Sequence, residues 1–255
     1  MRKRAAFTIV QNEPLFLPLW LQYYGRYFDR ADLYVLDHNS DDGSTAEVGT
    51  RCNLLRVHRD KSFDHAWLNA TVTAFQTFLL QSYQRVLFAE ADEIVVAEPT
   101  EYDGLDDYIE RCPHPVARCT GFEVVHYPDE EPPLHFDRPV LAQRHYWHAS
   151  GVYSKPLLSA VPMSWSLGFH EAIAFPDLRP DPGLFLVHLH RIDYGACAAR
   201  HRATAARNWN ERDIRDRLGM HNRLVEEDEA FKSWFFRGED NTHRVRIPER
   251  LKMLL

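Results

Sequence analysis

Apolar residues in this chain come in short blocks divided by polar, turn-forming stretches, and the spacing inside the blocks alternates between two periods. AAFTIV (Ala5 to Val10), LYVLD (Leu33 to Asp37), NLLRVHR (Asn53 to Arg59) and RVLFAE (Arg85 to Glu90) are short apolar runs and predict strands. Between the first two, NEPLFLPLWLQYYGRYF predicts a turn and then a helix, with Pro18 tolerated near its first turn. From Ala66 to Tyr83 the apolar residues follow helical spacing. HNSDDGS, after the second strand, has the composition of a loop. Strand and helix therefore alternate, as in an α/β layer around a mainly parallel sheet flanked by helices.

The second half is less regular. LDDYIERC predicts a helix, ARCTGFEVVHY a strand, YPDEEPPLHFDRP a loop, LFLVHLH a strand and DYGACAARHRATAARNW a helix. No break in composition demands a boundary, so residues 1–255 read as a single domain whose style changes near Glu98.

Composition narrows the function classes. A chain of 255 residues can bury a sizeable core, and its formal net charge of -7 excludes broad, non-specific nucleic-acid binding. Cys52, Cys112, Cys119 and Cys197 show no paired CxxC spacing and read as reduced thiols of a cytosolic protein, not as a disulfide framework or a zinc site. The apolar run after the basic start MRKR is too short for a signal peptide, and no segment approaches the length of a membrane span. The expected location is the cytoplasm, with peripheral attachment to the inner face of the membrane left open. Arginine far exceeds lysine, which suggests a GC-rich bacterial source.

In an open α/β sheet, ligands gather beyond the carboxyl ends of the strands. This chain places Gln11, Asn12 and Glu13 after the first strand, Asp37 to Asp42 after the second, and Glu90, Asp92 and Glu93 after the fourth. Three carboxylates within four residues repel unless something positive lies among them, and oxygen ligands suit a hard divalent cation, Mg²⁺ or Mn²⁺. Glu90 and Asp92 converge only if the chain bends there. His188 and His190, two apart at a strand end, share a face and would favour Mn²⁺. In GFHE, His170 and Glu171 beside Gly168 are candidate acid–base groups. Arg200, His201, Arg202 and Arg207 supply positive charge, and Trp147, Trp165 and Phe169 could stack on a sugar ring.

FTIVQNEPLFLPLWLQYYGRYFDRADLYVLDHNSDDGS resembles the opening of family-two-like glycosyltransferases with the GT-A fold, a Rossmann-like mixed sheet. The matching residues are Asn12, Glu13, Asp37, Ser40, Asp42 and Gly43; LFAEADEIV resembles the family's D-x-D-E strand end, and GFHE and VHLHRIDY its later histidine-bearing segments. The resemblance covers about residues 5 to 205. It implies a metal-dependent, inverting transfer of a sugar from a nucleoside-diphosphate sugar, a UDP-sugar first, to a carbohydrate or glycolipid hydroxyl, as in bacterial surface polysaccharide synthesis. By the same resemblance, residues up to about 98 form the donor half and the remainder, with its C-terminal helices, the acceptor half. Asn12, Glu13, Asp37, Asn39, Asp42, Glu90, Ala91 and Arg202 would contact the donor; Asp92, with His188 or His190, would bind the metal; Glu171, with His170 beside it, would act as base. Two departures stand out: Glu90 replaces the first aspartate of D-x-D, and no clear Glu-Asp base motif follows, so Asp129, Glu130 and Glu131 are alternative bases. A metallohydrolase using the same clusters, or a non-catalytic nucleotide-sugar-binding module, are the other readings.

Overall fold

Ala5, Ala6, Phe7, Val35, Val86 and Phe88 have no exposed surface; all lie on the parallel strands at the centre of the sheet. The computed structural model describes residues 1–57, 62–225, 229–236 and 244–255, and they group into two compact units. The first comprises Met1–Asp60, Ala66–Gly121 and Ser150–Val187; the second comprises Lys61–His65, Phe122–Ala149 and His188–Leu255.

In the first unit, β1 (Arg2–Val10) runs parallel to β2 (Leu33–Asp37), from Ala6 opposite Leu33 to Val10 opposite Asp37. β2 is parallel to β3 (Asn53–Arg56), and β1 is parallel on its other side to β4 (Tyr83–Phe88). The parallel order is therefore β3-β2-β1-β4. Short β8 (Leu158–Ser159) joins β4 antiparallel and links it to the start of β6 (Val116–Val124). β5 (Glu93–Ala97) pairs with β9 (Pro180–His188). This is the mixed α/β sheet with a parallel centre that the alternating pattern predicts.

Helices fix the strands through polar bridges as well as apolar faces. α1 (Phe16–Tyr24) buries seven of its nine residues. Its Tyr23 hydroxyl donates to the Val95 carbonyl (3.0 Å), and its Tyr24 hydroxyl accepts from the Val95 amide (2.9 Å), which pins β5 beside the strand ends. On α2 (His65–Leu79), the wholly buried Gln76 donates to the Ser159 hydroxyl at 2.7 Å and accepts from the Met163 amide at 3.1 Å. A buried amide satisfied in this way costs little and defines one register for β8.

In the second unit the end of β6 pairs antiparallel with β7 (Tyr146–Ala149), which pairs with β10 (Arg244–Arg246). After α3 (Leu105–Arg111) of the first unit, the next helix, α4 (Tyr194–Ala205), is capped by Asp193, whose carboxylate accepts from the Ala196 amide at 2.9 Å. Val125, Tyr127, Cys197, Ala198, Phe231 and Phe235 form the apolar core beneath it. The fully buried Arg144 donates to the Pro132 carbonyl (3.1 Å), to the Ile192 carbonyl (2.5 Å) and to Asp193 (3.2 Å), tying the Pro-rich loop to the helix start.

The predicted second strand matches β2 residue for residue, and the predicted Ala66–Tyr83 helix appears as α2, which ends earlier, at Leu79, with Tyr83 opening β4. Residues 58 and 59 of the third predicted strand lie outside the described residues. β7, β8 and β10, of two to four residues, are too short to show a period of their own. Among the described residues no helix is long and apolar enough to cross a membrane.

Candidate active site

The parallel order places a topological switch between β1 and β4, since the chain leaves β1 toward β2 and β3 and then returns to β1's other side. Two acidic segments lie at the carboxyl ends of β2 and β4, the strands on either side of β1, both in the first unit. The first is the loop after β2. Asp37, wholly buried, accepts from the Ser40 amide (2.8 Å) and the Thr45 hydroxyl (3.0 Å) and lies 3.6 Å from the Arg56 guanidinium. The Asn12 side chain accepts from the Asp41 amide and donates to the Asp41 carboxylate, both at 2.9 Å, while its amide donates to the Ser40 hydroxyl at 3.0 Å. Asn12, Asn39 and Gly43 all take positive φ (54°, 55° and 84°), and these residue types tolerate it best. The loop is thus held in shape by its own hydrogen bonds. It exposes Asp41 and Asp42, with Asn39 half-buried. Buried Glu13 accepts from the Phe16 amide at 3.3 Å and so starts α1.

The second segment follows β4. The Glu93 amide donates to the Glu90 carbonyl at 2.9 Å, so Ala91 and Asp92 sit at the corner of a tight turn, which supplies the bend that convergence of Glu90 and Asp92 requires. The missing positive charge is Lys155, which sequence reading overlooked. Its ammonium lies 2.7 Å from Glu90 Oε2 and 2.6 Å from Glu93 Oε1. Burial would depress this ammonium, but Glu90 and then Glu93 outweigh it and raise its pKa, so Lys155 stays charged. Asp92 is 5% exposed. Three carboxylates and one ammonium leave two formal negative charges at the turn, a setting that suits a divalent cation. Lys155 is one of only five lysines, and YSKPLLSA gives no spacing that ties it to residues 65 positions earlier.

GFHE folds into a strained corner. Gly168 and Phe169 both take positive φ (76° and 63°), which is unusual for a bulky residue. Phe169 is held there by burial against Phe88, with ring centroids 4.6 Å apart. His170 donates from Nδ1 to the Val152 carbonyl at 2.8 Å, which leaves Nε2 as an acceptor in the neutral ring. Glu171 is a half-exposed carboxylate gripped by the two terminal nitrogens of the Arg118 guanidinium, at 2.6 and 2.9 Å. Arg118 holds its carboxyl below the ordinary value.

In the second unit, the two histidines of VHLH differ chemically. His188, the last residue of β9, lies 3.0 Å from Glu123 through Nδ1, and the other Glu123 oxygen accepts from Arg191 at 2.6 Å. Burial would raise the Glu123 carboxyl, but Arg191 and His188 pull it down to about 2. An ionised carboxylate only accepts, so in the neutral form of His188 the proton sits on Nδ1 and the lone pair on Nε2. That is the tautomer of a metal-binding histidine backed by a carboxylate. His190 has the opposite arrangement. Its Nδ1 accepts from Arg200 (3.0 Å), so its Nε2 donates to His201 Nε2 (2.9 Å), and His201 Nδ1 donates to the Leu224 carbonyl (3.0 Å). Burial pushes His201 down to about 3, so it is neutral.

Other candidates take structural places. Glu131 is buried and accepts from the Tyr127 and His145 amides; Glu130 pairs with Arg244; Asp129 is exposed. Trp147 stacks on Phe122 at 4.0 Å, and the Trp165 indole donates to the Pro156 carbonyl, both inside the core. Arg202 lies exposed on α4. Arg118 and Glu123 were legible as charges inside the otherwise apolar strand ARCTGFEVVHY, though their partners were not.

No protein-family model matches the chain, and no curated protein matches it. Among solved structures, glucosyl-3-phosphoglycerate synthase from Mycobacterium tuberculosis, in complex with Mn²⁺, UDP and glucosyl-3-phosphoglycerate, is similar at 15% identity over 36% of this chain, with a TM-score of 0.28; the match spans only 34% of that chain. A mannosyltransferase from Pyrobaculum calidifontis in complex with GDP-Man and Mn²⁺ is similar at 14% identity over 92% of this chain and 68% of its own, with a TM-score of 0.43. A mannose-1-phosphate geranyltransferase from Thermus thermophilus is similar at 11% identity over 92% and 67%, with a TM-score of 0.31.

Proposed function

We propose that the chain is a nucleotide-sugar-dependent glycosyltransferase of the GT-A type. The observation that carries this reading is the pair of acidic segments at the carboxyl ends of β2 and β4, the strands on either side of β1, beside the switch point where open α/β sheets bind nucleotides. The donor's base and ribose would meet Asn39 and Asp42 on the loop that Asp37 shapes, with Asn12 and Glu13 after β1 beside it. Ala91 and Glu90 would lie against the sugar diphosphate, with Lys155 fixing Glu90, and Arg202 would add positive charge. A UDP-sugar donor, a carbohydrate or glycolipid acceptor and a role in bacterial surface polysaccharide synthesis complete the proposal.

A divalent cation, Mn²⁺ or Mg²⁺, suits the acidic turn that carries the buried Asp92 carboxylate, and His188, whose Nδ1 lies against Glu123, would be its histidine ligand. When bound, such an ion would neutralise the charge that develops on the departing nucleoside diphosphate. Glu171 would take the proton from the acceptor hydroxyl as that oxygen attacks the anomeric carbon from the face opposite the leaving group, which inverts the centre. Arg118 lowers the pKa of Glu171 and aims its carboxylate, and His170 lies next to it.

Thermal unfolding with UDP-, GDP- and CDP-sugars, each with and without Mn²⁺, tests the proposal, because a ligand of the native state raises its stability. A shift with one nucleotide that grows with Mn²⁺ is expected. No response to any nucleotide would sink the reading. Release of free sugar without an acceptor would favour the hydrolase, and binding without turnover the non-catalytic module.

A further inference from the structure

His190, Cys197 and His201 each offer a ligand atom, and the three atoms lie within 4.8 Å of one another inside the second unit. Cys197 and His201 are four residues apart on α4, so they project from one helix face, and both are buried. His190 reaches the same point from the turn after β9, its Nε2 2.9 Å from His201 Nε2. The Nδ1 proton of His201 is already committed to the Leu224 carbonyl, which leaves its Nε2 lone pair directed at the cluster. Val125, Phe231 and Phe235 pack around Cys197 and give the apolar surround that strengthens thiolate coordination.

We infer that His190, Cys197 and His201 form a transition-metal site for Zn²⁺, separate from the nucleotide-associated cation. Two imidazoles and one sulfur suit Zn²⁺ and exclude Mg²⁺, and three protein ligands leave a fourth position for water. Coordination releases the Cys197 thiol proton to solvent and requires His190 to carry its proton on Nδ1. The Arg200 guanidinium that now donates to that nitrogen must then turn away, so Arg200 opposes the metal.

Cobalt is the probe. The full chain, stripped with chelator, is titrated with Co²⁺ and followed by absorbance. One equivalent should bind with a near-ultraviolet sulfur-to-cobalt band and four-coordinate visible bands, and Zn²⁺ should displace it. Cys197→Ser should abolish the sulfur band, and His201→Ala should weaken binding by more than ~100-fold, beyond the effect of losing an outer partner. Arg200→Ala should tighten binding. Asp92→Asn should leave the band intact, which separates this site from the proposed nucleotide metal. Because Cys197 is buried, circular dichroism of each variant checks the fold, and Cys197→Ala repeats the test should Cys197→Ser misfold. Cobalt binding without a sulfur band, or a band that survives in folded Cys197→Ser, overturns the assignment.

Discussion

Three carboxylates in the four residues from Glu90 to Glu93 make sense once Lys155 is placed among them. Glu93 has no exposed surface, so Lys155→Met would leave a buried carboxylate without its cation. Breaking such a pair costs about 3–5 kcal/mol. Urea denaturation should show a loss of that size, and adding Glu93→Gln to Lys155→Met should recover part of it. A loss below about 1 kcal/mol would mean that the turn is held by its backbone bonds alone. The same logic, at the surface, governs Glu171. If Glu171 is the base, activity falls on the acid side as its carboxyl takes a proton, and Arg118 moves that fall to lower pH. Removing the cation raises the carboxyl's pKa, so Arg118→Met should shift the acid limb of the pH–rate profile upward. An unchanged acid limb would remove Glu171 from the proton transfer.

At the scale of elements, the long apolar blocks were legible because burial on both faces leaves an unbroken hydrophobic run, as in β1, β2 and β4. The acidic rim was legible for a related reason: side chains after parallel strands fall at one edge of the sheet. What local sequence cannot carry is the partner. Lys155 with Glu90, Arg118 with Glu171 and Glu123 with His188 are 53 to 65 residues apart. Gly121 in β6 shows the same limit. A Cβ there would stand 2.2 Å from the Tyr153 carbonyl carbon and 2.4 Å from its oxygen, where backbone meets backbone and the Gly121 amide donates to the Ser154 hydroxyl at 3.0 Å. Gly121→Ala should therefore cost about 3 kcal/mol, at the upper end for overpacking, read as a lower urea midpoint. Gly168→Ala meets a side chain instead, His170 Nε2 at 2.7 Å, and also a backbone at φ 76°. Its cost of about 1–3 kcal/mol should come with loss of the His170 position, visible as a changed pH profile.

For the molecule as a whole, the proposed metal makes stability and ligand binding two readouts of one equilibrium. A nucleoside diphosphate and Mn²⁺ at one hundred times their dissociation constant would add about 2.7 kcal/mol to the native state. At roughly 2–4 °C per kcal/mol for a chain of this size, melting should rise by roughly 5–10 °C. The manganese-dependent part should vanish in Asp92→Asn. The tautomers then discriminate between the two histidines. His188 presents Nε2 because Glu123 holds its Nδ1 proton, whereas His190 spends its Nε2 proton on His201. His188→Gln should lose the manganese-dependent rise, and His190→Gln should keep it. Glu123→Gln supplies the sharper test, because it keeps the shape of the carboxylate while removing the charge that fixes the imidazole. It should weaken manganese binding by about 10–100-fold without abolishing it. Equal losses in His188→Gln and His190→Gln would mean that the hydrogen bonds around these rings do not select the ligand.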